Sequence, residues 1–251
     1  MNKVIQSFIH LCICVALISC ARGGYVAKPV ALQNEVVNAS MGQDSLIEAM
    51  IKPYRNPIEA SMKEELIDCA APAVKGLPES SMGNLVADLL RDGSSRISNH
   101  KIDIAFLNTG GLRVEWPQGK ITRAMVFELM PFENMVEYIE MNGVSIQLLM
   151  DQVAARGGAP VSGISFDISK GKAKNVKVDG VYLNPNQHYT LVSTDYLLNN
   201  GDKYEIPPYL ERFLMNIKFR DLLFEELDFM NKQGKILHPK TDGRVRTVVA
   251  P

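Results

Sequence analysis

Strand-length apolar runs and helical stripes alternate along almost the whole chain, and this interleaving limits the architectures open to it. "PESSMGNLVADLLRD" puts Met82, Leu85, Val86, Leu89 and Leu90 on one helical face, with Ser80 or Ser81 placed to cap its start. "KIDIAFLN" then reads as a buried strand. "MVEYIEMNG" reads as a half-buried one that hands over to a helix containing Ile146, Leu149, Met150 and Val153. "SGISFDI", "KNVKVDGVYL" and "HYTLVST" follow as strands separated by Gly, Asn and Pro turns, and Phe219, Leu222, Leu223, Leu227 and Met230 share the face of a last helix before Gly234. Upstream, "DSLIEAMIKPYRNPIEASMKEELIDCA" predicts two amphipathic helical pieces broken at Pro53 and Pro57. The expectation is one α/β (α+β) domain with a mixed β-sheet flanked by helices.

Size and charge set further bounds. At 251 residues and 46% hydrophobic composition the chain is long enough for one large core. With 27 basic against 28 acidic residues, there is no overall field that would draw it to a nucleic acid polymer or an anionic membrane. Partners have to be argued from local sites.

The N-terminus carries an address. Lys3 precedes "FIHLCICVALIS", an apolar run too short to span a bilayer. Its end, "LISC", resembles the lipobox of bacterial lipoproteins, which makes residues 1–19 a signal peptide and Cys20 the expected lipid anchor. Residues 20–43 read as the lipidated Cys and a tether, and 44–251 as the folded domain. Cys12 and Cys14 leave with the signal, so Cys69 is the one cysteine left in the domain and reads as a small core residue.

Catalytic signals are sparse. The histidines, His10, His100, His188 and His238, are isolated from one another, whereas metal-assisted hydrolysis needs several ligands at coordinating spacing. No Gly-rich phosphate loop, nucleophile elbow or paired-Cys motif is present, so no catalytic residue and no metal ligand is assigned in this chain. What remains is three turns at strand ends. In "NTGGLR", Gly110 and Gly111 let backbone approach a ligand and Arg113 offers a forked donor to phosphate or hydroxyl groups. "MPFENM" places Phe132 after a proline among polar residues. In "STDYLLNNGDKY", Tyr196 follows a strand and Asp202 sits in a turn rich in Asn and Gly. Each has an ordinary reading alone, as a tight turn, a buried Phe and a solvated Asp. Their order along the chain is what changes the weighing.

That order resembles the C-terminal domain of the 5'-nucleotidase family. "SSMGNLVADLLR" is similar to its S/N-x-G-N-L-x-x-D-A segment, "LNTGGLR" to N-x-G-G-I-R, "GKIT" to G-x-I-T, "MPFENMV" to P-F-x-N-x-x, "VSGISFDI" to S-G-x-x-F, and "STDYLLNNGDKY" to T-N-F-x-x-x-G-G-D-G-Y. The match runs from about Ile47 to Val248 in one order. The resemblance implies a nucleoside site. Phe132 and Tyr196 would sandwich the base, Asn108 would contact it, Arg113 would reach ribose and phosphate, and Asp202 would accept from ribose hydroxyls. Gly110, Gly111 and Asn134 belong to the same motifs.

Three departures stand out. Nothing before Ile47 could encode the family's two-metal phosphatase domain; Pro78 stands where many relatives carry a ligand-binding Arg; and "GGDGY" has become "NGDKY". The resulting expectation is a membrane-anchored lipoprotein of the bacterial cell envelope, on the periplasmic side or the outer surface. It would be the nucleotide-recognition half of a split 5'-nucleotidase and, alone, would not hydrolyse phosphate esters. It needs no cofactor of its own, and divalent metals belong to a separately encoded metallophosphatase chain. Two alternatives are a non-catalytic nucleoside- or nucleotide-binding lipoprotein and a degenerate scaffold. Trp116 reads as a core or rim aromatic rather than a ligand contact.

Overall fold

The computed structural model describes residue 38 and residues 41–248, so the expected export signal, Cys20 and most of the expected tether lie outside the described residues. Residues up to Glu48 and residues from Ala49 onward separate into two compact units, and every strand among the described residues belongs to the second.

The first described helix, α1 (Ser45–Met62), runs unbroken through Pro53 and Pro57, where two pieces were expected from the sequence. Prolines four residues apart lie on the same side of a helix, so both missing N–H groups fall together and no core packing is disturbed. None of its residues is buried. The tail of the same stretch is not helical at all: β1 (Glu65–Cys69) pairs antiparallel with β3 (Gly119–Thr122). "ELIDC" buries Leu66, Ile67 and Cys69, a spacing that satisfies a strand as readily as a helix.

α2 (Ser81–Ser98) starts where the sequence places it. The Ser80 hydroxyl accepts from the Gly83 N–H at 3.0 Å, and Asn99 ends the helix in the left-handed region. Met82, Val86, Leu89 and Leu90 are buried along one face.

The centre of the domain is a five-stranded mixed sheet. It is built from β2 (Ile104–Phe106), β4 (Met135–Asn142), β5 (Val161–Ser162), β9 (His188–Thr194) and β10 (Glu211–Lys218), in the order β10-β4-β9-β2-β5. β2 and β9 are parallel and the other pairs antiparallel. Strand alternation divides two cores. Ala105, Val136 and Val192 point to one side, where α2, α3 (Arg123–Leu129) and α6 (Phe219–Lys232) cover them. Ile104, Phe106, Ile139, Met141 and Leu191 point to the other, against α4 (Gly143–Ala155) and a second sheet. That four-stranded sheet has the order β11-β6-β7-β8, from β6 (Ile164–Ser169), β7 (Lys172–Val178), β8 (Val181–Tyr182) and β11 (Val245–Thr247). Each fully buried Leu, Ile or Val contributes about 1.5–3 kcal/mol, so burial on both faces makes this sheet the rigid frame of the domain. The mixed α/β architecture agrees with the expectation, with the strands distributed over three sheets.

The register of the central sheet decides where its turns go. β9 is parallel to β2 and antiparallel to β4, with Thr194 opposite Val136. The C-terminal ends of β2 and β9 and the N-terminal end of β4 therefore share one edge. From those three ends emerge "NTGGLR", the turn that starts α5 (Asp195–Leu198), and "PFEN".

Candidate functional site

Asn108, Gly110, Gly111, Arg113, Phe132, Asn134, Tyr196 and Asp202 line a single cleft of about 320 Å³. All of the positions expected from the sequence to contact a ligand are thus brought together.

The first wall is the turn after β2. A short 3-10 turn, Thr109–Gly111, reverses the chain under the Asn108 side chain. A Cβ on Gly111 would stand 2.7 Å from the Asn108 side-chain oxygen, so glycine is what lets that amide fold over the turn. Leu112 is buried and the Arg113 N–H donates to the Leu129 carbonyl at 3.0 Å. Farther on, Trp116 is 1% exposed, its indole N–H donates to the Met125 carbonyl at 3.2 Å, and its backbone pairs with Ala73. It is a core anchor for this wall, in line with the reading from sequence. The backbone of Arg113 is fixed while its side chain is exposed. The guanidinium lies 5.9 Å from the Phe132 ring centroid, and Nη1 donates to the Gly110 carbonyl at 3.3 Å. This is an open cation with most of its donors free for an anion.

The second wall is the turn before β4. Phe132 is 39% exposed, too much for a core aromatic. It is held in place by a residue that sequence reasoning missed. Arg220, buried at the start of α6, donates from Nη1 to the Met130 carbonyl at 3.2 Å and the Phe132 carbonyl at 3.4 Å, and from Nη2 to Glu133. Its guanidinium also lies over the Phe127 ring at 4.5 Å. Lys218 reaches the other Glu133 oxygen, and these two cations hold the pKa of the Glu133 carboxyl down to about 2. In addition, the Phe219 N–H donates to the Asn134 carbonyl at 2.8 Å. The only signal for this clamp is the basic pair in "KFR", some ninety residues from the turn it grips.

The third wall is the turn after β9. Tyr196, in the first turn of α5, is 45% exposed. Gly201 packs against it so closely that a Cβ would stand 2.5–2.6 Å from the Tyr196 carbonyl and ring. Asn200, Asp202 and Lys203 all take left-handed φ of 64°, 51° and 59°. Staples hold this strained run: Asn200 accepts from the Ile206 N–H at 3.1 Å, and the Lys203 carbonyl accepts from Arg156 at 2.7 Å. The altered "NGDKY" sequence therefore still delivers Asp202 to the cleft. Pro78 packs elsewhere, against Gly158, whose Cβ would stand 2.3 Å from the Pro78 carbonyl oxygen.

The remaining candidates fall outside the cleft. His100, His188 and His238 are exposed, His100 stacking on Tyr138 and His188 facing Glu140 at 3.1 Å. Cys69 is buried and its thiol is pushed up by burial. Among the described residues, no group of three or more His, Cys, Asp or Glu side chains is placed to hold a metal ion.

These features define an α/β domain with an aromatic-walled, cation-bearing cleft at the edge of its central sheet. The chain belongs to the 5'-nucleotidase C-terminal domain family, whose model matches residues 64–208, more than half of the sequence. It is 24% identical over 182 residues to a 5'-nucleotidase of Vibrio vulnificus, a match covering 68% of this chain and 32% of that protein. It is 27% identical over 167 residues to the endonuclease YhcR of Bacillus subtilis, covering 62% of this chain and 13% of the relative. Its fold is shared with the crystal structure of a 5'-nucleotidase precursor from Thermus thermophilus, at a TM-score of 0.69 and 21% identity, over 82% of this chain and 44% of that one. The chain spans about a third of the Vibrio protein and less than half of the Thermus one.

Proposed function

We propose that the cleft binds the nucleoside of a 5'-nucleotide and that the chain is the recognition half of a split 5'-nucleotidase. One observation carries this reading: two partly exposed aromatic rings, Phe132 and Tyr196, line one cleft with a forked cation and a carboxylate. Stacking a base on an aromatic ring is worth about 1–3 kcal/mol and tolerates any base. Arg113 suits the phosphate end and Asp202 the sugar hydroxyls. The Vibrio vulnificus and Thermus thermophilus relatives, both 5'-nucleotidases, support the substrate class.

The hydrolytic step is assigned to another chain. The cleft offers one carboxylate, Asp202, and no His or Cys, a donor set that does not fit a two-metal hydrolytic centre. In this reading Phe132, Tyr196 and Arg113 hold the nucleotide so that its phosphate meets the metals of a metallophosphatase partner, and a lipid on Cys20 keeps the assembly at the cell envelope. The test is phosphate release from AMP with divalent metal present, by the chain alone and mixed with a metallophosphatase encoded beside it. Release in the mixture only is expected. No release, with AMP binding retained in calorimetry, would leave a nucleotide-binding lipoprotein, and no binding would leave a scaffold.

A further inference from the structure

Asp202 is the group on which sugar recognition in this reading depends, and both its carboxylate oxygens are already engaged. Oδ1 accepts the Tyr196 hydroxyl at 2.7 Å and Oδ2 accepts the Asn108 side-chain N–H at 2.5 Å. The Tyr196 oxygen in turn accepts the backbone N–H of Asp202 at 3.1 Å, which closes a ring between the two residues. Geometry keeps that ring shut. Gly201 packs under the tyrosine ring, and the left-handed φ of Asp202 aims its N–H and its carboxylate at the same hydroxyl. A phenylalanine at 196 would present the same face and leave Oδ1 open.

We infer that the Tyr196 hydroxyl sets sugar specificity, locking Asp202 so that the cleft selects for the base and hardly for the ribose hydroxyls, and so accepts deoxyribonucleotides alongside ribonucleotides. This rests on the nucleoside-binding reading given above. A free carboxylate forms charge-assisted bonds to both hydroxyls of a ribose and rejects a sugar that lacks them. Each carboxylate oxygen can accept a second bond, but one that already accepts from Tyr196 or Asn108 has its charge partly neutralised and its approach partly blocked, so each ribose hydroxyl gains less than at a free carboxylate. The same lock fixes the Tyr196 ring before any base arrives, which favours stacking without loss of side-chain freedom. Base and sugar recognition are thereby set against each other through one oxygen atom.

The experiment compares adenosine with 2',3'-dideoxyadenosine, which share a base and differ only in the hydroxyls, by calorimetry on the purified chain and on its Tyr196→Phe, Phe132→Ala and Tyr196→Phe/Asp202→Asn variants. The readout is the ratio of the two Kd values, because any loosening of the ring in Tyr196→Phe acts on both nucleosides alike and cancels. The wild-type ratio is expected within about threefold, rising to about tenfold or more in Tyr196→Phe and falling back in the double variant. A wild-type ratio above about tenfold, or a ratio that Tyr196→Phe leaves unchanged, overturns the inference while the nucleoside site stands. If wild type binds neither nucleoside, or Phe132→Ala binds adenosine as tightly as wild type, the site itself is misread and the inference falls with it. Tyr196 is exposed and the change removes one oxygen, so a matched thermal melt is expected for the single variant.

Discussion

Two hollows of nearly equal size, about 320 Å³ and about 310 Å³, differ in what their walls leave unpaired. The smaller is lined by Asp88, Arg91, Asp92, Asp179, Asp242 and Arg244 among others, and it looks the more reactive by charge alone. Its charges are spent on one another. Arg244 bridges Asp88 at 2.7 Å and Asp242 at 2.7 Å and donates to the Val161 carbonyl, Ser162 donates to Asp88, and Arg91 faces Asp92 and Asp179. The Arg244 guanidinium holds the Asp242 carboxyl below its usual range. The aromatic cleft has fewer charges, but its Arg113 guanidinium meets a carbonyl and a ring face in place of a carboxylate, and two rings stand partly in solvent. Binding capacity resides where groups are held by their backbone and left open at their tips, and structural work resides where they saturate each other.

If that contrast is sound, substitutions at the two hollows separate stability from binding. Arg244→Ala is expected to have the largest effect. The side chain is 14% exposed, but the two carboxylates its loss strands are 39% and 41% exposed and partly screened by solvent, so the cost is about 2–3 kcal/mol, below that of a fully buried pair. Thermal unfolding should show a drop of roughly 4–12 °C in Tm. A drop under a degree or two would mean that the paired hollow contributes nothing structural, and the comparison would break there.

Phe132→Ala comes next and should behave in the opposite way. Losing one stacking face costs about 1–3 kcal/mol, a roughly 5- to 150-fold rise in Kd for AMP by calorimetry. The melt should hardly move, because the ring is partly exposed. Arg113→Ala is a smaller and more selective change. It should weaken AMP by about tenfold and adenosine far less, since in the proposed binding mode the guanidinium faces the phosphate end. Equal losses for the two ligands would place Arg113 against the nucleoside instead.

How much of this is legible in the sequence follows from range. The cleft is readable because each wall is one short turn at a strand end, with its glycine, aromatic and charged residue within a few positions. The frame is readable where periodicity is clean, as in α2 and in β9. Reading fails where periodicity is ambiguous or interrupted. β10 carries no clear strand signature because it lies at the edge of its sheet, with half-exposed residues and a left-handed Asn216 where its register shifts. β11 is three residues long, recruited only by its parallel pairing with β6. The clamp on Phe132 is invisible for a different reason: Arg220 acts on carbonyls of residues 130 and 132, and a backbone acceptor leaves no mark on the sequence.

That clamp gives the smallest of the expected effects. The Glu133 pKa is held at about 2 by hydrogen bonds from Lys218 and Arg220, below its ordinary value of 4.5. A carboxyl whose folded value is depressed contributes its stabilisation fully above the unfolded value and loses it as pH falls through the folded one. The contribution of Glu133 is therefore intact at neutral pH and disappears between about pH 4.5 and 2. Glu133→Gln cannot titrate, so its stability should fall less steeply than that of wild type across that window in denaturant melts. The difference should be slight, because the carboxyl is exposed and solvent screens the pair. Parallel acid profiles would show that the clamp on the Phe132 turn rests on the backbone bonds from Arg220, with the ion pair contributing nothing measurable. A shallower profile in the variant would show that charge at the surface helps hold the Phe132 turn in place.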